Sequence, residues 1–167
     1  AERFIDAWPT GRPLVIDADA LHPFASRLEV LRSREPFSAV LTPHPGEAAA
    51  LLGWSVDAVQ ADRFAAAAEL RDRSGQVVVL KGARSLIAWE YVELCPYGGP
   101  SLAVGGSGDT LAGAIAALAV DTAPARAARL GVLAHALAGE RLPRGAFASE
   151  IADALGARLT AAQRTSA

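Results

Sequence analysis

The stretch AVGGSGDTLAGAIAALA, residues 103–119, sets three glycines and a serine directly before an aspartate and then runs on through small apolar residues. Glycine admits positive φ and lets a backbone approach a ligand closely. A helix N-terminus presents unpaired N–H groups and the positive end of its dipole. A turn at Gly105, Gly106, Ser107 and Gly108 that opens a helix is therefore suited to cradle a phosphate, above all one gaining charge in a transition state. Asp109 falls in the first turn of that helix, where the dipole favours a negative charge. It could take a proton from a substrate hydroxyl, the general-base role in phosphoryl transfer. The plainer reading of the same residues is a tight turn followed by a carboxylate that stabilises a helix end. The turn is not a P-loop, because the lysine and hydroxyl that should follow its last glycine are absent.

Three further stretches carry chemistry-bearing side chains. In LTPHPGE (41–47) two prolines bracket His44 and fix it on a loop at the carboxyl end of a strand, where ligands bind in open α/β sheets. The ring could hydrogen-bond a substrate; the alternative is a stiffened connection with an exposed histidine. In VLKGARS (79–85) Lys81 stands beside Gly82 at another strand end, where it could meet a phosphate as a point charge, with the Ser85 hydroxyl to help. The alternative there is a charged β-turn. VIDADAL (15–21) adds Asp17 and Asp19, which could order waters around a metal–nucleotide but are read as holding a loop through backbone hydrogen bonds. Neither His22 nor His135 stands at metal-like spacing to His44, so no protein metal site is expected. All four stretches sit at strand or turn ends able to converge on one edge of a sheet.

The elements that must position them read as follows. PLVID (13–17), SAVL (38–41) and QVVVLKG (76–82) are short apolar runs of the kind buried parallel strands show. SLIAWE and YVELCP form two adjacent strands, antiparallel, with a turn near Glu90. A short helix opens at Gly46 or Glu47 and is closed by Gly53, and a single longer one, capped by Ser55 or Asp57, runs to Gly75. Three helical segments follow: DTLAGAIAALAV, PARAARLGVLAHALAGERL and SEIADALGARLTAA. Pro124 suits the first turn of its helix. The pattern predicts one α/β domain over residues 1–167, with a mainly parallel sheet and crossover helices on its faces.

Composition narrows the function classes. A net charge of −2 without a basic cluster argues against nucleic acid or an anionic membrane as partner. A single cysteine, Cys95, rules out an internal disulfide framework and suits a reducing compartment. No apolar run is long enough to span a bilayer, so the expectation is a soluble, cytoplasmic protein.

VIDADAL, LTPHPGEAAALLG, VVLKGARS, GGSGDTLAGAIAAL and GVLAHALAGE, in this order and at this spacing, resemble the ADP-dependent NAD(P)H-hydrate dehydratase family of the ribokinase-like superfamily. The resemblance runs from Pro13 to about Leu155. It implies a ribokinase-like layered fold and a repair reaction: dehydration of the hydrated nicotinamide ring of NADHX or NADPHX, coupled to cleavage of ADP into AMP and phosphate, with Mg²⁺ accompanying the nucleotide. Residue by residue, it makes Asp109 the acid/base group, His44 a hydrate-binding residue with Asp109, and Lys81, Gly82, Ala83, Arg84, Ser85 and Gly108 nucleotide-binding positions. Gly105, Gly106 and Ser107 would complete the anion-binding turn. The chain departs from the family pattern at Gly99, where asparagine is usual, at Val104, where threonine is usual, and at His22, also an asparagine position. Family members carry a further stretch before VIDADAL, so a fragment, a cleaved product or a chain completed by an oligomeric partner is expected, with a homo-oligomer as the default. The alternatives are a superfamily kinase phosphorylating a vitamin-like alcohol, and a truncated, non-catalytic nucleotide-binding homologue.

Overall fold

Val77–Leu80, strand β3, is four apolar residues long and all four are fully buried. An apolar run without alternation requires cover on both faces, and both are covered. Val78 and Leu80 face one cluster and Val77 and Val79 the other. The computed structural model describes residue 8 and residues 11–165 of the chain. Strands β1 (Leu14–Ile16), β2 (Ala39–Leu41), β3, β4 (Leu86–Ala88) and β5 (Val92–Leu94) lie side by side in that order. β1, β2 and β3 are parallel; β4 and β5 return antiparallel, as a hairpin of the expected kind.

One face is packed by α1 (Pro45–Leu52), α2 (Val56–Ala61) and α3 (Arg63–Ser74), the other by α4 (Ser107–Ala119) and α5 (Pro124–Gly139), against which α6 (Ala148–Thr165) is laid. Two expectations are corrected. The single helix drawn to Gly75 is two, because Asp62 ends α2 and its side chain then accepts Ala65 N–H to cap α3, as Ser55 caps α2. A short acceptor side chain that bonds the nearby backbone favours such a break. The β1–β2 crossover holds no α-helix. It consists of two 3-10 segments, Ala18–Phe24 and Leu28–Ser33, because Pro23 and left-handed Ser26 (φ 56°) interrupt the i to i−4 ladder between them. α1 starts at Pro45, one residue before the earlier of the predicted starts, and Gly53 closes it in the left-handed conformation at φ 72°.

Two buried features set the spacing of the layers. Gln76 accepts Ala39 N–H at 2.8 Å and donates to the carbonyls of Leu31 and Glu35, pinning the entries of β2 and β3. Gly131 lets α5 lie so close to α4 that a Cβ there would stand 2.7 Å from Ile115 Cγ1. Among the described residues no helix is long and apolar enough to cross a membrane.

Gly131→Ala should destabilise the protein by about 1–3 kcal/mol through overpacking, read as a lower urea midpoint with an unchanged m-value. A midpoint equal to the parent's would show that the two helices separate without cost.

Candidate functional site

The strand ends on one edge of the sheet are tied together before any ligand arrives. Thr42 N–H bonds to Ile16 O at 3.0 Å and Lys81 N–H to Pro43 O at 2.8 Å, carrying the parallel pairing past the ends of β1, β2 and β3. At that edge the Lys81 ammonium lies 2.6 Å from Asp17 Oδ1 and 3.7 Å from Glu47 Oε2, all three side chains being largely buried. A Cβ on Gly108 would stand 3.4 Å from Lys81 Nζ, so the ammonium is wedged between two carboxylates and the first turn of α4. Lys81 keeps the strand-end position read for it and is ion-paired there, while the reading of Asp17 changes: it works through that ion pair, its side chain making no capping bond to the segment that follows. Asp19 stays at the surface, 3.8 Å from His22.

His44 lines the mouth of the site and also caps α1. Its Nδ1 accepts N–H groups from Gly46 at 3.0 Å and Glu47 at 3.2 Å, while Glu47 Oε2 accepts His44 N–H at 2.6 Å, a reciprocal capping box. With Nδ1 accepting, the neutral ring carries its proton on Nε2. That atom lies 3.4 Å from Glu47 Oε1 on a ring 56% exposed, where it can donate to a ligand.

The glycine turn has the predicted form. Gly106 is left-handed at φ 84°, and a Cβ there would also meet Ala148 at 3.0 Å. Ser107 opens α4, and its buried Oγ lies 3.2 Å from His135 Nε2. Burial of the imidazole pushes the His135 pKa below its ordinary value, against a smaller opposing effect of the Ser107 backbone. Burial likewise pushes the Cys95 thiol up, which leaves it a poor nucleophile.

These elements border a cleft of about 770 Å³. Its walls are His44, the Lys81–Ser85 loop, Cys95–Pro100, Leu102–Val104, Ser107, Gly108 and Leu111 of α4, and Val132, His135 and Ala136 of α5. Mostly apolar residues line it, together with Lys81, Arg84, two histidines and the N-terminal end of α4, the composition that small-molecule sites show. The structure thus brings His44, Lys81–Ser85, Ser107 and Gly108 to one cleft. Gly105, Gly106 and Asp109 are not among its lining residues, and Asp109 is exposed in the first turn of α4. Glu47, the Ser107–His135 pair and Arg63, which grips the Lys81–Ser85 loop from α3, were not singled out for these roles by sequence. Only tertiary contacts reveal them. Among the described residues no group of three or more His, Cys, Asp or Glu side chains could hold a metal ion.

The family model described as NAD(P)H-hydrate dehydratase matches residues 3–160. The chain belongs to that family. It is 39% identical over 155 residues to the ADP-dependent (S)-NAD(P)H-hydrate dehydratase of Neisseria meningitidis, covering 87% of this chain and 52% of that protein. The solved ADP/ATP-dependent NAD(P)H-hydrate dehydratase of Bacillus subtilis, co-crystallized with ATP/Mg²⁺, superposes with a TM-score of 0.78 at 31% identity, over 93% of this chain and 58% of that one. A ribokinase-like superfamily protein of Enterococcus faecalis matches at TM-score 0.75 and 24% identity, over 95% of this chain and 57% of that one, a likeness of fold alone. The chain spans about a quarter to a half of the length of the curated relatives it matches. The architecture expected of the family, a ribokinase-like α/β layer with a mainly parallel sheet, is the one observed.

The buried imidazole sets a pH dependence. His135 takes up its proton at lower pH in the fold than the ordinary 6.5 of the unfolded chain, so near and below that pH the unfolded state binds more protons and stability falls as pH drops. Between pH about 7.5 and about 5.5 the parent should lose more stability than His135→Gln. Denaturant unfolding of both proteins at the two pH values measures the difference, and parallel losses would contradict it.

Proposed function

We propose that this chain performs the ADP-dependent dehydration of (S)-NAD(P)HX to NAD(P)H with release of AMP and phosphate. The observation that carries the reading is the meeting of the α4 N-terminus, Lys81 and the Lys81–Ser85 loop at one end of an otherwise apolar cleft. The adenosine part of the nucleotide fits the apolar residues of Cys95–Gly99, Leu111 and Val132, and the diphosphate fits the N-terminus of α4, where Gly108 lines the cleft beside Lys81. The hydrate's hydroxyl oxygen attacks the β-phosphorus of ADP and the bond from that phosphorus to the bridging oxygen breaks, releasing AMP. The hydroxyl proton passes to Asp109. The new phosphate ester then leaves from its ring carbon with the C–O electron pair, the ring nitrogen's lone pair supplying the push. The neighbouring carbon gives up a proton that ends on phosphate, and the dihydronicotinamide is restored. Little covalent work falls to the protein beyond positioning and charge stabilisation.

Mg²⁺ enters this reading on the nucleotide. Asp17 and Glu47 are engaged with Lys81 and, among the described residues, no cluster of His, Cys, Asp or Glu could hold an ion, so the ion would be held mainly by the phosphates and water rather than by a protein cage. When bound, the ion would neutralise diphosphate charge. A second reading, a nucleotide-binding homologue without turnover, is favoured by one observation: Asp109 lies outside the cleft wall. The proposal also takes the protein to be cytoplasmic and self-associating, in keeping with the broad exposure of apolar Val120 and Phe147.

The test is incubation of the purified protein with NADHX and ADP, following dihydronicotinamide absorbance together with AMP and phosphate. ADP-dependent recovery of NADH, with one AMP and one phosphate per turnover, is expected. Asp109→Asn should lower kcat by about 100-fold or more and leave AMP affinity within a few-fold of the parent. A stable phosphorylated product would instead indicate a kinase, and AMP binding without turnover in the parent would favour the non-catalytic homologue.

A further inference from the structure

Four backbone carbonyls in and beside the turn between β3 and β4 converge on one side chain from another element. Arg63, at the start of α3, donates from Nη1 to Ala83 O at 2.7 Å and Arg84 O at 3.3 Å, and from Nη2 to Leu80 O at 3.3 Å and Lys81 O at 3.5 Å. The guanidinium is half-buried, and none of the carboxylates among the described residues forms an ion pair with it. A desolvated cation that spends its donors on a loop, with no acid to balance it, is costly unless the loop's conformation matters. That conformation is one the chain would not adopt by itself. Gly82 sits at φ 147° and Arg84, with a full side chain, at φ 58°, and a Cβ on Gly82 would approach Arg63 Nη2 to 3.0 Å.

Planar trans peptides convert this grip into an orientation of donors. The N–H of each peptide points opposite its carbonyl. With the carbonyls of Lys81, Ala83 and Arg84 drawn to the guanidinium, the N–H groups of Gly82, Arg84 and Ser85 are turned away from it. Those three residues line the cleft. The positive charge on the carbonyl side also polarises these amides, and successive N–H groups presented together form an anion-binding concavity. We propose that Arg63 is a positioning residue for the phosphate-bearing ligand: from behind the Lys81–Ser85 loop it sets the peptide planes whose N–H groups, with the α4 N-terminus, receive the anion. This rests on the nucleotide reading of the cleft and assigns a role within it to a residue that never touches the ligand.

The experiment compares the parent, Arg63→Met and Arg63→Lys. AMP affinity is measured by calorimetry and steady-state kinetics with ADP and NADHX. Arg63→Met should weaken AMP by about tenfold or more, the scale of a charge-assisted hydrogen bond, and raise KM for ADP with kcat and KM for NADHX little changed. Arg63→Lys should remain weakened, since a compact ammonium cannot span the carbonyls of residues 80 and 84 together. AMP affinity in Arg63→Met within twofold of the parent would overturn the proposal. If Arg63→Met does not fold, backbone order parameters of the ligand-free parent decide. Values near about 0.85 at Gly82–Ser85 support a preset loop, and values below about 0.6 overturn it. Failure of the parent to bind AMP would count against the functional reading itself, whereas parent binding matched by Arg63→Met would count against this inference alone.

Discussion

The Lys81–Asp17 ion pair is the constraint on which the site depends. Asp17 follows β1 and Lys81 follows β3, with β2 between them, so the contact at 2.6 Å spans the end of the central parallel strand. Glu47 approaches the same ammonium from α1 and simultaneously closes the capping box with His44. One cation thereby fixes the strand ends, the His44 ring and the approach of Gly108 at the head of α4. Removing a charge from such a largely buried arrangement leaves its partners unpaired, which costs more than the pair itself contributes. The backbone at 108 thus lies in contact with the Lys81 side chain, a built Cβ standing 3.4 Å from its Nζ.

The rest of the fold serves to keep that edge rigid. The central strands are buried on both faces, so their register is set by two independent clusters, and a slip of one residue would expose both sets at once. Small residues let the helices come close: Gly131 against Ile115, and Gly139 against Leu102, where a Cβ would collide outright. Leu102 belongs to the 3-10 segment Pro100–Leu102 on the cleft wall. Close helix packing at Gly139 therefore also shapes the cavity. The alanine-rich composition, bland in the sequence, is what this close layering requires.

How much of this was legible beforehand follows from the range of the interactions. β3, the β4–β5 hairpin, the Gly53 and Gly75 helix ends and the helix after the glycine turn are governed by local patterning and turn chemistry, and they were read at nearly their true positions. The meeting of His44, Lys81–Ser85, Ser107 and Gly108 at one cleft was also legible, because strand ends in a parallel sheet have one place to go, whereas the placing of Gly105, Gly106 and Asp109 outside its wall was not. The break at Asp62 and the 3-10 crossover were not, because there a side-chain acceptor or a left-handed residue competes with the helical ladder over a few residues. Arg63, Glu47 and the Ser107–His135 contact depend on residues 17 to 34 positions apart, and no local pattern announces them.

The position of Asp109 acquires a meaning from the chemistry proposed for it. In-line phosphoryl transfer places the attacking and leaving oxygens on opposite sides of phosphorus. Ser107 and Gly108 face the cleft that would hold the leaving nucleotide, whereas Asp109 is exposed beyond its wall. On the proposed reading the acceptor reaches α4 past His44, whose ring lines the mouth of the same cleft with Nε2 3.4 Å from Glu47 Oε1, and meets Asp109 on the exposed side of the first turn. The helix end then lies between nucleotide and acceptor, its N–H groups directed at the phosphorus that passes from one to the other.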